Sequence, residues 1–384
     1  MPPDRDDQLL GAVRRSLAED SDVTDVARQV RAQAPAAGTA QLLDSISVVV
    51  AEVIGAGPLD RLLHEPGVSD VLVNGPGPVW VDRGRGLERT DLLLADEATV
   101  RRLAQRLVTA CGRRLDDASP YADARLADGT RLHAVLPPLA PSGTHLSLRL
   151  PPRRTFTLAE LVDAGSVPSA GADLLQALVD SRLAFVVTGG TGTGKTTILS
   201  TLLSLVDPAE RIVLVEDASE LRPQHPHVVR LESRLANAEG AGGVDLSVLV
   251  RQALRMRPDR LVVGEVRGGE VLDLLAALNT GHEGGCGTVH ANAAADLPAR
   301  IEALAMAAGL TQPAAHSQLA SAVQVVLHLG RDRDGRRRVR ELAVLVRGAD
   351  GLVRAEPAVT FDAGGRAREH PGSEVLAARL ERRT

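Results

Sequence analysis

Gly189-Gly190-Thr191-Gly192-Thr193-Gly194-Lys195-Thr196 stands behind the apolar run Phe185-Val186-Val187 and ahead of a helical stretch over residues 197–205. A strand, a glycine-rich turn and a helix in that order leave few folds open. The glycines let successive backbone N–H groups turn inward around an anion, at the positive end of the helix that follows. The run fits the P-loop pattern in full, with Lys195 placed to reach β- and γ-phosphates and Thr196 to hold Mg²⁺ through its hydroxyl. Gly189, Gly190, Thr191, Gly192, Thr193, Gly194, Lys195, Thr196 and Thr197 are therefore the expected nucleotide-binding residues, with ATP and Mg²⁺ as the cofactors. Lys195 is also the only lysine among 44 basic side chains. Arginine can stand in for lysine at ordinary surface positions, but a planar guanidinium does not replace a compact ammonium among phosphate oxygens.

Hydrolysis further needs a carboxylate at the end of a neighbouring strand to orient or deprotonate the attacking water. Two segments supply one. Glu265 closes Leu261-Val262-Val263-Gly264-Glu265, and Glu216-Asp217 closes Ile212-Val213-Leu214-Val215. Ligands of open α/β sheets gather at the carboxyl ends of strands, which puts both segments at the right edge. Glu265 is the preferred base, with Glu216 and Asp217 in the water or metal shell beside Thr196. Each acid could instead cap a helix or pair with an arginine. His282 and His290 bracket Glu283-Gly284-Gly285-Cys286-Gly287-Thr288-Val289, where glycine density beside histidine predicts a loop that approaches a ligand closely. Cys286 within it reads as packing. Arg125, Arg131 and Arg149, in the first half of the chain, read from spacing alone as solvated strand residues.

At 384 residues the chain is long enough for two domains, each with its own core. Residues 1–40 read as a flexible N-terminal extension carrying a short helical stripe at Leu9, Leu10, Val13 and Leu17. Residues 41–152 read as an α+β domain. It has helices over 48–54 and 100–111, strands over 68–73, 79–82 and 145–150, and a hairpin over 125–133 turning at Asp128-Gly129. Pro151-Pro152-Arg153-Arg154 marks a boundary. Residues 153–362 alternate strands with helices as open α/β sheets do, and close with antiparallel strands over 323–329, 338–346 and 352–361. Asp245 is a candidate N-cap for the helix behind it. Residues 363–384 read as a polar, frayed C-terminal tail.

Aromatic residues are scarce (three Phe, one Tyr, one Trp), so aliphatic side chains must build the cores. A net charge of −5 and few stacking rings count against the main competing function, a nucleic-acid translocase or helicase on the same core. A non-hydrolytic nucleotide switch is the other competitor. Cys111 and Cys286 lack metal-ligand spacing and read as free thiols of a reducing compartment. The first residues lack the basic-then-apolar order of a signal peptide, and no apolar stretch is long enough to span a bilayer, so a cytoplasmic protein is expected.

Three segments, RIVLVEDASEL (211–221), RMRPDRLVVGEVRG (255–268) and NTGHEGGCGTVHAN (279–292), resemble in order and spacing the secretion ATPases of type II and type IV systems. The nearest likeness is to the CpaF-type branch, which drives assembly of Tad (Flp) pili. In the first domain VSDVLVNG (68–75), DARLADGTRL (123–132) and Leu148-Arg149 resemble that branch too, so the likeness runs over roughly 42–345. The resemblance implies an α/β fold: a RecA-like P-loop NTPase core with a smaller α+β, PAS-like N-terminal domain, and nucleotide bound between the two. It puts Glu216 and Asp217 in the family's Asp box, Glu265 in its Walker B segment, and His282 and His290 in its His box. It also makes Arg125, Arg131 and Arg149 arginines that reach the phosphates. As partners it implies five further copies of the chain in a homohexamer and an inner-membrane platform protein. The protein would then lie on the inner face of the plasma membrane with no span of its own, hydrolysing ATP to power pilus assembly or secretion, without nucleic acid.

Overall fold

The computed structural model describes residues 55–381, apart from 85, 153, 235, 237–239, 282 and 333–334. The expected extension over 1–40, the helix expected over 48–54 and His282 lie outside the described residues. The chain divides into two compact units, Met1–Pro151 and Pro152–Thr384.

In the first unit the described elements are α1 (Asp60–His64), β1 (Asp70–Asn74), β2 (Gly77–Asp82), β3 (Leu87–Leu94), α2 (Glu97–Ala110), β4 (Tyr121–Arg125), β5 (Arg131–Val135) and β6 (His145–Arg149). The strands form one antiparallel sheet in the order β3-β2-β1-β6-β5-β4. Alternation does the work in the strands: Val71, Val73, Leu132, Ala134, Leu146 and Leu148 are buried between neighbours that are not. The matching stripe on α2 is Val100, Leu103, Ala104, Leu107 and Val108, at helical spacing. Asp96 caps that helix by accepting from Thr99 N at 2.7 Å. The β4–β5 hairpin turns at Asp128-Gly129, where Asp128 accepts from the Thr130 amide at 2.9 Å and its hydroxyl at 2.8 Å.

The second unit opens with α3 (Leu158–Asp163), α4 (Ser169–Asp180), β7 (Phe185–Thr188), α5 (Lys195–Leu203), β8 (Ile212–Glu216) and β9 (Val228–Glu232). It continues with α6 (Leu246–Ala253), β10 (Arg260–Val266), α7 (Glu270–Asn279), β11 (Cys286–Val289), α8 (Leu297–Ala307) and α9 (Gln312–Ala322). It closes with β12 (Val325–Arg331), β13 (Arg337–Arg347), β14 (Val353–Phe361), β15 (Ala367–Glu369) and α10 (Gly372–Glu381). Nine strands form one sheet in the order β15-β14-β13-β12-β7-β11-β10-β8-β9. From β9 across to β12 every pair is parallel, and from β12 outward every pair is antiparallel. Helices cover both faces. Val187, Leu214, Val262 and Leu327 pack toward α4, α5 and α10, while Val186, Val213, Val263 and Val326 pack toward α6, α7, α8 and α9. This is a RecA-like α/β core, and its parallel strands bring Thr188, Glu216, Glu265 and Val289 to one edge. No helix among the described residues is long and apolar enough to cross a membrane.

Two expectations are corrected here. The run before His290 is a loop only in part: Cys286–Val289 is β11, fully buried between β7 and β10. Its glycine serves packing, because a Cβ at Gly287 would stand 2.8 Å from Val263 O. Cys286 is core, and burial pushes its thiol up to about 12. Residues 363–381, the described part of the expected tail, are not frayed either. β15 extends the sheet, and α10 buries Leu376 while Arg379 donates to Gln324 O at 2.5 Å and Leu345 O at 2.8 Å.

Candidate active site

β7 is buried throughout and delivers the chain to Gly189 at a backbone angle (φ +150°) that side chains resist. Room is lacking as well, since a Cβ there would lie 2.6 Å from Thr193 Oγ1 and 2.7 Å from Leu329 O. Thr193 Oγ1 donates to Gly190 O at 2.9 Å, closing the loop on itself. Gly194 sits in the left-handed region and caps α5, so Lys195, Thr196 and Thr197 form the first helical turn, where unpaired N–H groups favour an anion. Lys195 is 9% exposed, and its Nζ donates to Gly189 O at 2.9 Å and Gly190 O at 3.0 Å. Burial lowers its pKa against the opposing pull of Glu265.

Glu265 lies on β10 where the register against β11 shifts between Val263 and Val266, an irregularity that re-aims side chains. Thr288 pins that stretch by donating Oγ1 to Gly264 O at 2.7 Å. One carboxylate oxygen, Oε2, accepts from Arg267. The other, Oε1, is buried and lies 2.7 Å from His290 Nε2. The same ring nitrogen is 3.4 Å from Lys195 Nζ. Burial, then the Lys195 charge, lowers the His290 pKa, which keeps the imidazole neutral between an acid and an ammonium. The three side chains come from separate elements: α5, β10 and the residue after β11.

Glu216 is 4% exposed at the end of β8. Its Oε1 accepts from Glu220 N at 3.0 Å and Leu221 N at 2.9 Å, and its buried Oε2 accepts no hydrogen bond from the described residues. Burial raises its pKa to about 7 against those two amides. Glycine at position 264 is what admits it, because a Cβ there would be 2.7 Å from Glu216 Cγ. Asp217 accepts from Ser233 Oγ at 3.2 Å and borders a cleft with Arg234, Arg267 and Glu270. Beside the loop, Phe156, Leu161, Ile198, Leu329, Val339 and Arg337 line a second, mostly apolar cleft of about 180 Å³.

A family profile described as type II/IV secretion system protein matches residues 52–362. The chain belongs to the type II/IV secretion system ATPases. A putative conjugal transfer protein of Mycobacterium tuberculosis is 58% identical to it over 324 residues, 83% of this chain and 92% of that protein. Two solved structures share the fold of this secretion ATPase. The pilus retraction motor PilT with bound ADP aligns at a TM-score of 0.54 and 20% identity, over 87% of this chain and 86% of that one. The ATPase DotB of Legionella pneumophila aligns at 0.50 and 18%, over 91% and 90%.

In this secretion ATPase the structure brings Lys195, Glu265 and His290 together and places Glu216 one residue-width away, behind Gly264. Arg125, Arg131 and Arg149 are brought together with one another. They are register partners across β4, β5 and β6, and Arg149 Nε donates to Asp70 Oδ1 at 3.0 Å. Sequence reasoning missed Arg267, which holds one oxygen of Glu265. It lies inside the segment over 255–268, two residues beyond the acid, and that spacing on a strand is the signal that points to it.

Proposed function

We propose that this secretion ATPase hydrolyses ATP in a cytoplasmic homohexamer docked on an inner-membrane platform protein, powering Tad-type pilus assembly or export. For the hydrolysis, the observation that carries this is the meeting of a P-loop lysine and the Glu265 carboxylate at one imidazole. A water lying between Glu265 and the γ-phosphorus would be oriented by this carboxylate. Glu265 takes the water's proton as its oxygen attacks phosphorus and the bond to the bridging oxygen breaks. Lys195 and the amides of the loop hold the phosphate charge.

Thr196, with Glu216 and Asp217 beyond it, is the set that would hold Mg²⁺, which neutralises phosphate charge when bound. The apolar cleft flanked by Phe156 and Ile198 fits a nucleobase lying beside the loop. Arg125, Arg131 and Arg149, as one row, would reach the phosphates from the first unit.

The name of the mycobacterial relative favours a second reading, a conjugal transfer motor that moves nucleic acid or protein through an envelope machine. Turnover measured with and without single-stranded DNA separates a direct nucleic-acid motor, which DNA stimulates, from a motor that acts on a membrane platform. For the chemistry, Glu265→Gln is expected to keep ATP binding and to lower phosphate release by roughly 10²-fold or more. Normal release from that variant would remove Glu265 as the base.

A further inference from the structure

The junction where β7 becomes the phosphate loop is gripped from the next strand. Thr188, the last residue of β7, is fully buried, and His328 on β12 is 9% exposed. The two are register partners, and His328 Nδ1 lies 2.9 Å from Thr188 Oγ1. The following residues touch as well: a Cβ at Gly189 would meet Leu329 O at 2.7 Å and Leu329 Cβ at 3.3 Å. Two consecutive residues of β12 therefore clasp two consecutive residues of the strand-to-loop corner, one by a hydrogen bond and one by close packing. The carbonyl that leaves this corner, Gly189 O, accepts from Lys195 Nζ at 2.9 Å.

A buried imidazole is often no more than a satisfied core group. Here its partner is the residue that leads into Gly189, whose carbonyl is one of the two that hold the ammonium of the site. Burial, with Arg340 adding to it and Asp296 opposing, keeps His328 below the usual histidine range. A neutral ring can share a single proton with a hydroxyl, as this pair requires.

We propose that His328 is a positioning residue for nucleotide binding: through Thr188 it fixes the Gly189 carbonyl, and so the place where Lys195 presents its ammonium to a triphosphate. The inference rests on the reading of residues 189–196 as a triphosphate cradle. Small displacements matter in such a site, because a shift of about 1 Å can cost on the order of 10²-fold in rate.

The test uses the full chain, with N-methylanthraniloyl-ATP as a fluorescent binding probe, phosphate release for turnover, and thermal denaturation as a control. His328→Leu and Thr188→Val are each expected to weaken probe binding about tenfold, the effect of one lost buried hydrogen bond (~1.4 kcal/mol). The double variant should be no worse than either single one. His328→Asn is expected to restore most of the affinity, because its amide can occupy the place of Nδ1. Thr188→Val, nearly isosteric, carries the test if His328→Leu does not fold. Wild-type affinity in His328→Leu or in Thr188→Val, additive losses in the double variant, or an Asn variant as weak as Leu would each overturn the proposal. Wild-type protein that fails to bind the probe would overturn the triphosphate reading itself, a result none of the other outcomes resembles.

Discussion

Glu216 sets charge against surroundings more sharply than any other carboxylate near the loop. One oxygen is held by two backbone amides, the other by none of the described residues, and burial raises the pKa from 4.5 to about 7. For a carboxyl shifted upward, folding gains nothing from ionisation. Its penalty is absent below about pH 4.5, grows as pH rises, and is complete above about 7. Glu216→Gln should therefore match wild type in thermal stability near pH 5 and exceed it near pH 8, by up to roughly 3 kcal/mol. Parallel stability curves for the two proteins between those values would contradict the assignment. The same property bears on the proposed metal shell, since Mg²⁺ bound beside Thr196 would have to hold this carboxyl in its charged form.

At the level of elements, the strands that position the site were legible because they are short, apolar and β-branched. Phe185-Val186-Val187, Ile212-Val213-Leu214-Val215 and Leu261-Val262-Val263 all became central strands. β11 was not legible, for a physical reason. Gly284-Gly285-Cys286-Gly287 has the glycine density of a turn, and the approach of Val263 O to position 287 explains a glycine inside a buried strand. Its two ends therefore lie at opposite edges of the sheet, with His290 at the phosphate edge and Gly285 O bonded to Phe185 N at the other. The C-terminal helix escaped notice because Val375, Leu376 and Leu380 are too few to make a clear stripe among Arg and Glu. Its contribution is measurable. Leu376→Ala should destabilise the protein by about 2–4 kcal/mol, the cost of a cavity in a packed core. Denaturant titration shows this, and a shift below about 0.5 kcal/mol would mean that the helix is not part of the core.

At the level of the whole molecule, the arginine row of the first unit is the part of the proposed motor that turnover measurements can test. Arg131 stands in the middle of its row, between Arg125 on β4 and Arg149 on β6. Arg131→Ala should lower turnover more than it weakens ATP binding, and an equal or absent effect on both would make the residue structural. Light scattering should show assembly that depends on protein concentration and on ATP with Mg²⁺. A monomer under those conditions would refute the ring. One further consequence follows from Lys195, whose Nζ is shielded and tethered to two carbonyls while burial lowers its pKa. No other side chain in the protein carries a primary amine. Amine-directed acylation thus has a single side-chain target, and the mass found on Lys195 reports, subunit by subunit, whether the phosphate loop is open, without any engineered label.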